Sequence, residues 1–378
     1  MTLNEHTEAR SQFVAHTLNA HLPEDYQGLI FEEDQRFVRD VLEKSDAGRR
    51  RVLVVGGAGY VGSVICDHFL TQGYDVRCFD NLLYSHDLAV VPPLHRSGYE
   101  FMFGDLTDPA QFEKALTGVT DVVLLAGLVG DPVTKNFPDQ ASQVNDAGYD
   151  LMISMLDGRG LNKVVFVSTC SNYGLIEGDQ LADENFELSP LSLYAKSKVR
   201  IEKLLMGKKG EVDYTPTILR FATAFGLSPR MRFDLTVSEF TRAMALGEDL
   251  LVYDAHTWRP YCHLRDFAEL IRRVLEAPKD RVAFDVFNAG GEVNNYTKQM
   301  IVDAILKQLP DAKVKYQEHG ADPRNYRVDF SKVRERLFFE PAYTVADGIE
   351  ELIAAIRQGL FHKIEEPKSF YGNWELGR

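Results

Sequence analysis

Residues 51–62 read Arg-Val-Leu-Val-Val-Gly-Gly-Ala-Gly-Tyr-Val-Gly, and this stretch decides the fold. Val52 to Val55 form a short apolar run rich in β-branched residues, which is typical of a strand buried on both faces of a parallel sheet. Apolar residues then recur at helical spacing from Val61 to Leu70. The glycines between the two patterns therefore lie on a strand-to-helix turn.

Gly56, Gly59 and Gly62 suit a phosphate-binding turn. Without side chains they let the chain turn tightly, let a diphosphate approach the backbone amides, and let the helix pack closely on the strand. The alternative is a purely structural turn, because a glycine triplet alone is a weak signal. The next strand decides between the two interpretations.

That strand favours dinucleotide binding. Tyr74 to Phe79 reads as a strand that ends in Asp80, about 20 residues after the glycines, where a carboxylate can hold the hydroxyls of an adenosine ribose. Asn81 and Leu82 follow, and neither is an Arg or Lys that would meet a 2′-phosphate. The pattern predicts NAD(H) rather than NADP(H) as the cofactor.

Composition argues against several classes of function. The formal charge of −14 repels nucleic acid and anionic lipid, so a phosphate-bearing ligand needs a local basic pocket. The four cysteines, Cys66, Cys78, Cys170 and Cys262, show neither metal-ligand spacing nor a disulfide framework. We see no apolar run of membrane-spanning length and no signal-peptide pattern. We expect a cytoplasmic protein with no metal, no nucleic-acid partner and no membrane contact.

Strands and helices alternate from Arg51 onward. The predicted elements are strands 51–55, 75–79, 99–104, 121–126, 163–168 and 214–221, and helices 60–72, 109–117, 138–157 and 192–206. This order predicts an α/β fold with a doubly wound parallel sheet of the Rossmann type and a smaller C-terminal lobe. Ligands are then expected beyond the carboxyl ends of the strands.

The chain divides into three predicted regions. Residues 1–48 carry apolar residues at helical intervals and are expected to form a helical extension that packs on the surface or at a dimer contact. Residues 49–226 are expected to form the cofactor domain, with strands returning from about 250–290. Residues 227–378 are expected to form mainly the second lobe.

Polar residues follow two of the predicted strands. In Gly104-Asp105-Leu106, Asp105 can receive an adenine edge, while Asp108 can cap the helix that follows. The small residues from Ala126 to Gly130 permit the close approach of a flat cofactor ring. Asn145, in the long helix after this loop, is either a solvated helix position or a buried bridge that holds the loop.

A reactive constellation joins Ser168-Thr169-Cys170-Ser171, at a strand end, to Tyr194 and Lys198 at the start of the next helix. Tyr194 and Lys198 are four residues apart, so they share a helix face. A phenol with a pKa of ~10 needs a neighbouring cation to act as a base near neutral pH, and Lys198 supplies one. Such a pair alone is common on helix surfaces. Here it follows the other motifs in the order that a catalytic site requires.

Taken together, these motifs resemble those of the extended short-chain dehydrogenases/reductases, specifically the NAD-dependent nucleotide-sugar epimerase/dehydratase branch. The resemblance runs from about Arg51 to Glu351. It implies that Thr169 is the catalytic hydroxyl, that Tyr194 is the acid/base, and that Lys198 binds the nicotinamide ribose and lowers the pKa of Tyr194. The implied cofactor-binding residues are Gly56, Gly59, Tyr60, Val61, Gly62, Asp80, Asn81, Asp105, Leu106, Ala126, Tyr194 and Lys198.

The second lobe resembles the sugar-nucleotide lobe of that family. Its diphosphate-binding segments are matched by residues 228–232, 258–266 and 322–326. Arginine suits this task because its planar fork binds phosphate oxygens in pairs, although each arginine alone is also a candidate for a surface ion pair. A neighbouring proline predicts that Arg259 and Arg324 lie in loops, which makes them the leading candidates. The implied substrate-binding residues are Thr169, Thr223, Arg230, Arg232, Arg259 and Arg324.

The resemblance implies an enzyme that oxidises a ring hydroxyl of a nucleoside-diphosphate sugar, with C4 as the favoured position. An epimerase is the leading hypothesis. The alternatives are a sugar-nucleotide 4-dehydrogenase or keto-reductase with net redox change, and a non-catalytic NAD-sensing or interaction protein of the same fold. Cys170 and Ser171 stand where 4,6-dehydratases carry an Asp-Glu pair, so elimination has no obvious proton donor. The family usually carries an Asn after the sixth strand, and this Asn is missing from the corresponding segment, Arg220 to Thr223.

The resemblance also implies a homodimer. In relatives, the helices that correspond to 138–157 and 192–206 pair across a dimer interface. Here these helices carry apolar residues beyond what the sheet is expected to need, among them Met152, Met155, Leu193 and Leu204.

Overall fold

A computed structural model describes residues 50–176, 178–320, 322, 324–362, 368–373 and 376. The helical extension predicted for residues 1–48 lies outside these described residues.

The described residues form strands and helices in close alternation. The strands are β1 (Arg51–Val55), β2 (Asp75–Asp80), β3 (Tyr99–Phe103), β4 (Asp121–Leu124), β5 (Lys163–Thr169), β6 (Leu181–Ala182), β7 (Thr215–Phe221), β8 (Thr223–Phe225), β9 (Leu250–Tyr253), β10 (Trp258–His263), β11 (Asp285–Ala289), β12 (Asn295–Thr297), β13 (Val314–Gln317) and β14 (Arg327–Val328). The helices are α1 (Gly62–Thr71), α2 (Pro109–Leu116), α3 (Asp131–Asn136), α4 (Pro138–Ser142), α5 (Gly148–Ser154), α6 (Leu193–Gly207), α7 (Thr236–Ala245), α8 (Leu264–Glu276), α9 (Lys279–Val282), α10 (Lys298–Leu306), α11 (Ser331–Leu337) and α12 (Val345–Arg357).

Seven parallel strands form the central sheet, in the spatial order β11-β7-β5-β4-β1-β2-β3. Val55 lies at its centre, in register with Phe79 on β2 and Leu124 on β4. Each of these residues is at most 1% exposed, because helices cover both faces of the sheet. The predicted doubly wound α/β fold is confirmed.

Two apolar layers hold the helices on the sheet. One contains Phe69 of α1 and Ile271 of α8, and the other contains Phe112 of α2, Ile153 of α5 and Ile201 of α6. Each layer has a helical stripe of apolar residues facing a strand surface, which is the two-sided packing that parallel sheets require.

A smaller lobe follows the sheet and has a core of its own. It is built around α7, α10 and α12, where Phe240, Ile301 and Ile349 pack together. Within residues 250–290, β11 is the strand that joins the central sheet, whereas β9 pairs with β13 and β10 joins a three-stranded sheet of order β12-β10-β8.

The helix predicted over residues 138–157 extends from Pro138 to Ser154, and its hydrogen bonding changes from α-helical to π-helical in the middle. Between α4 and α5 the backbone forms a π-type turn at Gln143–Ala147. Asn145 lies in this turn and is 5% exposed, and its side-chain amide donates to and accepts from the backbone of Leu128, at 2.9 Å in both cases. Of the two interpretations of Asn145, the buried bridge is therefore the one that the structure shows.

The apolar positions cited for a dimer are used differently from the prediction. Met152 is fully buried, and Met155 and Leu204 pack against the same core layer, so the sheet does need them. Only Leu193, of these four, is exposed. The homodimer stays a prediction. None of the helices formed by the described residues combines the length and apolar character needed to cross a membrane.

Candidate active site

A cavity of about 470 Å³ opens at the carboxyl ends of β1, β2, β4 and β5 and is closed on its other side by the lobe. Its position follows from the parallel sheet, because the loops after parallel strands gather at one edge. Every site residue predicted from the sequence except Gly62 lines it. These residues are Gly56, Gly59, Tyr60, Val61, Asp80, Asn81, Asp105, Leu106, Ala126, Thr169, Tyr194, Lys198, Thr223, Arg230, Arg232, Arg259 and Arg324.

The glycine turn forms the floor of the cavity. Gly56 has a φ of +89°, and a Cβ at this position would lie 2.7 Å from the Cα of Ala126, so both conformation and space demand glycine. Gly62 is packed against the turn, since a Cβ there would lie 2.1 Å from the carbonyl oxygen of Gly56. Helix α1 begins without a side-chain cap, which leaves amides of its first turn available to a diphosphate.

Asp80 ends β2 beside this turn. Its carboxylate accepts hydrogen bonds from the backbone N–H groups of Ala58 at 3.0 Å and Leu82 at 2.9 Å. These bonds hold the carboxylate in one orientation, and each oxygen keeps a further lone pair for a hydroxyl donor. The arrangement suits recognition of a ribose.

Asp105 follows β3 and faces the same part of the cavity. Burial raises the pKa of its carboxyl, but hydrogen bonds from Thr107 and from Asn81 outweigh burial and hold the pKa below its usual range. Asp108 caps α2 by accepting from the N–H groups of Ala110 and Gln111. The cap predicted for Asp108 is confirmed.

Thr169, Tyr194 and Lys198 all line the cavity. Thr169 is the last residue of β5, and its hydroxyl oxygen accepts the N–H of Ser171 at 3.1 Å. Because that oxygen is already an acceptor, its O–H is free to point at a ligand. Lys198 Nζ lies 5.8 Å from the ring centre of Tyr194. The predicted pair thus shares one face of α6, which its spacing requires.

Burial governs the charge of Lys198. The side chain is 5% exposed, and its ammonium donates to the carbonyl of Val167 at 2.8 Å and lies 4.6 Å from the ring centre of Phe166. Burial lowers the pKa of Lys198 to about 7, and the carboxylate of Glu202 opposes this effect. When it is protonated, the ammonium lies beside the Tyr194 ring, where a cation favours the anionic form of a phenol.

A buried network lies behind the catalytic strand end. The carboxylate of Glu202, 3% exposed, accepts from Ser168 Oγ at 2.5 Å, Asn172 Nδ2 at 2.8 Å and Arg220 Nη2 at 2.7 Å. Ser168 and Asn172 flank Thr169 along the chain. Glu202 therefore holds the turn that carries the Thr169 hydroxyl, and the Arg220 guanidinium balances its charge.

The two residues after Thr169 supply no strong acid. The Cys170 thiol is buried and donates to the carbonyl of Arg220 at 3.0 Å, and burial raises the pKa of this thiol. Ser171 lines the cavity, and its hydroxyl lies 3.3 Å from Tyr326 Oη. All four cysteines are free and buried, in agreement with the absence of a disulfide pattern in the sequence.

Arg259 and Arg324 share one carboxylate at the lobe side of the cavity. Arg259 Nη2 lies 3.0 Å from Asp322 Oδ2, and Arg324 Nε lies 2.8 Å from Asp322 Oδ1. Burial raises the pKa of Asp322, but the two guanidinium groups outweigh it and hold the pKa far below its usual range. Arg259 also lies beside Tyr326, whose ring centre is 5.0 Å from Arg259 Cζ.

The prediction that Arg259 lies in a loop is wrong. Arg259 belongs to β10, and Pro260 pairs with Asn295 at the end of the antiparallel ladder to β12. The pairing of β10 with β8 begins only at Tyr261. Pro260 thus lies where β10 changes partners, a position at which a missing N–H is tolerated. Arg324 does lie in irregular structure.

A second pair of arginines lies beside the glycine turn. Arg232 binds Asp234 through Nε at 2.9 Å and Nη2 at 2.5 Å. Arg230 is 3% exposed, with Cζ 4.6 Å from the ring centre of Tyr84, and burial lowers its pKa to about 10. Ser228, at the start of this segment, donates to the carbonyl of Tyr60 at 2.8 Å. The bond from Ser228 thus joins the segment that carries this pair to the glycine turn.

The sequence prediction omits two residues of this region. Glu202 follows Lys198 by four residues, so the helix-face spacing that singled out Lys198 also points to Glu202. Asn373 lines the cavity from the C-terminal tail, where no motif or periodicity marks it.

Among the described residues, no group of three or more His, Cys, Asp or Glu side chains is placed to hold a metal ion.

Comparisons with known proteins agree with this geometry. A model of the NAD dependent epimerase/dehydratase family matches residues 52–290, more than half of the 378-residue chain. The UDP-glucose 4-epimerase of Bacillus subtilis is 25% identical over 329 residues, covering 80% of this chain and 94% of the relative. The dTDP-glucose 4,6-dehydratase of Streptomyces niveus is 25% identical over 316 residues, covering 80% of this chain and 91% of the relative.

The fold is also found in solved structures. The crystal structure of a UDP-glucose 4-epimerase from Thermotoga maritima with UDP-glucose superimposes with a TM-score of 0.73. It is 24% identical, and the match covers 82% of this chain and 99% of that one. The similarity extends over the sheet and the lobe together, since nearly all of the solved chain is matched.

The cavity fits the dinucleotide that the family uses. The uncapped first turn of α1 offers amides to a diphosphate, and Gly56 and Gly59 of the preceding turn line the cavity. Asp80 is oriented by two backbone N–H groups at the place where a ribose is expected. The residues present are therefore suited to NAD.

Proposed function

This chain belongs to the NAD-dependent epimerase/dehydratase family of the extended short-chain dehydrogenases/reductases, and on that premise we propose that it is a nucleoside-diphosphate-sugar 4-epimerase. It is an NAD-dependent enzyme. The observation that carries the proposal is the meeting of Thr169, Tyr194 and Lys198 in one cavity with the glycine turn, next to two residues that are not acids.

Binding of the cofactor is assigned to groups on the sheet edge. The amides at the start of α1 hold the diphosphate, Asp80 the adenosine ribose and Lys198 the nicotinamide ribose. When bound, NAD supplies the acceptor for a hydride from a ring carbon of the sugar. The loop from Ala126, which is braced by the bond from Tyr149 Oη to the Ala126 carbonyl at 2.7 Å, forms the wall beside that acceptor.

Proton transfer is assigned to Tyr194. As a phenolate it takes the proton of the C4 hydroxyl, while the hydride leaves the same carbon and a carbonyl forms. Thr169 donates a hydrogen bond to the reacting oxygen as that oxygen becomes a carbonyl. The keto-sugar would then rotate in the cavity, so that C4 regains the hydride on its other face and its oxygen regains the proton from Tyr194, and the result is an epimerisation without net redox change. Lys198 keeps the phenolate accessible near neutral pH.

The residues that follow Thr169 favour an epimerase over a dehydratase. Elimination of a sugar hydroxyl needs an acid that protonates the leaving oxygen. The Cys170 thiol points away, toward the Arg220 carbonyl, and the hydroxyl of Ser171 has no acidity near neutral pH. Redox chemistry at one carbon needs only the Thr, Tyr and Lys groups.

Arginines are proposed to bind the sugar nucleotide. Arg259 lies beside Tyr326, whose hydroxyl is 3.3 Å from that of Ser171, and the planar guanidinium groups of Arg259 and Arg324 suit paired contacts with diphosphate oxygens. Thr223 lies on the wall between this pair and the sheet. Arg230 and Arg232 add positive charge at the glycine-turn side.

The proposed C4 epimerisation can be tested by following a deuterium label at C4 of the sugar. Purified enzyme is incubated with UDP-glucose, UDP-glucuronic acid and dTDP-glucose, each deuterated at C4, and products are identified by NMR. We expect the C4 epimer of one of them, with deuterium kept at C4 and no lasting NADH absorbance. The matched control is Lys196→Met, an exposed position on the same helix, which should leave turnover unchanged.

Three other results would contradict the proposal. Sustained accumulation of NADH identifies a 4-dehydrogenase. Loss of water from the sugar identifies a dehydratase. A product that NMR shows to be epimerised at a carbon other than C4 moves the chemistry to that carbon. A cytoplasmic location and a homodimer also belong to the proposal, and small-angle scattering of the full chain at micromolar concentration tests the dimer.

A further inference from the structure

The C-terminal tail returns to the lobe after α12. The ring of Tyr371 lies 5.9 Å from that of Phe233 and 6.1 Å from that of Phe361, measured between ring centres. The carbonyl of Tyr371 accepts the N–H of Phe233 at 2.8 Å. The tail is therefore attached to the lobe at this point, beyond the residues that the family model matches.

Further along, the tail contacts the cofactor domain. Leu376 packs against an apolar cluster that contains Leu128, which follows β4, and Val133 of α3. Since Tyr371 lies on the lobe and Leu376 on the cofactor domain, the described residues of the tail contact both walls of the cavity.

Asn373 lies between these two attachments and is 5% exposed. Its Nδ2 donates to the carbonyl of Val129 at 2.8 Å, and its Oδ1 accepts from Arg230 Nη2 at 2.8 Å. Its backbone N–H donates to Asp234 Oδ2 at 3.2 Å. One side-chain amide thus joins the loop after β4 to the arginine pair of the lobe, and Asn373 itself lines the cavity.

We propose that the tail is part of the active site and that Asn373 is a positioning residue, which holds the Val129 loop and Arg230 in the arrangement that retains the dinucleotide. Without the tail, the carbonyl of Val129 loses this donor, and Arg230 loses the acceptors on Gly372 and Asn373. The loop and the arginine then move independently, and water enters the cavity from that side. The proposal concerns cofactor retention, so it holds whichever sugar reaction the enzyme performs.

If the tail has only a structural role, a different result is expected. In that case its removal lowers the free energy of unfolding of the cofactor-free protein and changes cofactor affinity only as a consequence. A positioning role instead shows itself in the rate at which the bound cofactor leaves, with little change in the stability of the cofactor-free fold.

Four variants of the full chain separate the two roles. They are a chain that lacks residues 368–378, Asn373→Ala, Asn373→Asp and, as matched control, Asn185→Ala, at an exposed position outside the cavity wall. NADH affinity and dissociation rate are followed by fluorescence. Cofactor-free unfolding is followed in urea.

We expect the deletion and Asn373→Ala to weaken NADH binding by about tenfold, which corresponds to about 1.4 kcal/mol, mainly through faster dissociation. Asn373→Asp keeps an acceptor for Arg230 but places a carboxylate oxygen against the Val129 carbonyl. Its loss of NADH affinity should therefore be at least as large as that of Asn373→Ala. Asn185→Ala should bind NADH as the unmodified chain does.

Unchanged dissociation of NADH from both Asn373→Ala and Asn373→Asp would overturn the proposal. So would a loss of cofactor-free stability in Asn373→Ala that matches its loss of affinity. If the shortened chain fails to fold, the two point variants decide the question by themselves.

Discussion

Replacing Lys198 by methionine is expected to stabilise the cofactor-free protein at neutral pH. The native fold buries an ammonium that is 5% exposed and has Val167 as a backbone acceptor. Burying a charge is unfavourable unless it is well paired. Methionine has a similar length and no charge, so it fills the same space between the rings of Phe166 and Tyr149 without that cost.

The size and sign of the effect follow from the pKa of Lys198, which burial lowers from 10.5 to about 7. The unfolded chain holds this proton up to about pH 10.5, whereas the folded protein releases it near pH 7. Between these values the unfolded state binds more protons, so the free energy of unfolding of the native chain rises with pH. Below pH 7, burial of the Lys198 ammonium lowers the free energy of unfolding by its full amount, and a pKa shift of this size corresponds to about 5 kcal/mol. Above pH 10.5 Lys198 is neutral in both states, so this loss of stability vanishes.

Urea unfolding of cofactor-stripped protein at about pH 6.5, 8 and 9.5 measures the effect. We expect Lys198→Met to be more stable than the native chain by about 3–5 kcal/mol at the lowest of these pH values, with the difference shrinking as pH rises. Lys196→Met removes the same charge from an exposed position of α6 and should show a small difference at every pH. A Lys198→Met difference that does not depend on pH would refute the reasoning.

Three further predictions concern residues around the cavity. Tyr194→Phe removes the proton-transfer group and should lower turnover by about 10²–10⁴-fold, while NADH binding measured by fluorescence stays as in the native chain; retained turnover excludes Tyr194 as the base. Asp80→Asn replaces an oxygen acceptor with an NH₂ donor that faces the backbone N–H of Ala58 or Leu82. It should weaken NAD binding by about tenfold in calorimetric titration. Equal binding by the variant and the native chain would contradict the assignment of Asp80 to the ribose. Glu202→Ala leaves the buried Arg220 guanidinium unpaired and should lower the free energy of unfolding in urea by about 3–5 kcal/mol, with a smaller loss for Glu202→Gln; equal losses would show that charge is not what Arg220 requires.

Elements that depend on local periodicity were predictable from the sequence. The runs that form β1 and β4 consist of β-branched and apolar residues, and the helix α1 shows apolar residues at helical spacing, so neither needed knowledge of the fold. The motifs that follow the strands were predictable for the same reason, since parallel strands bring their carboxyl ends to one edge. The cavity accordingly gathers the glycine turn, Asp80, Thr169 and the Tyr194 pair.

Features that depend on distant contacts were not predictable in this way. The helix predicted over residues 138–157 changes to π-helical hydrogen bonding at Gln143–Ala147, where Asn145 bonds to Leu128 across the loop. A proline beside Arg259 suggested a loop, but β10 changes partners at that point and accommodates it. In both cases a contact far away in sequence overrides a local preference.

By itself, the sequence determined the parallel sheet, the dinucleotide turn and the catalytic order, because side-chain period and glycine placement act within a few residues along the chain. Only the tertiary structure decided the charge of Lys198, the pairing of Arg259 and Arg324 through Asp322, and the contacts of the tail at Asn373. Burial, shared counter-charges and hydrogen bonds between remote segments arise when the chain is folded, and no local pattern encodes them.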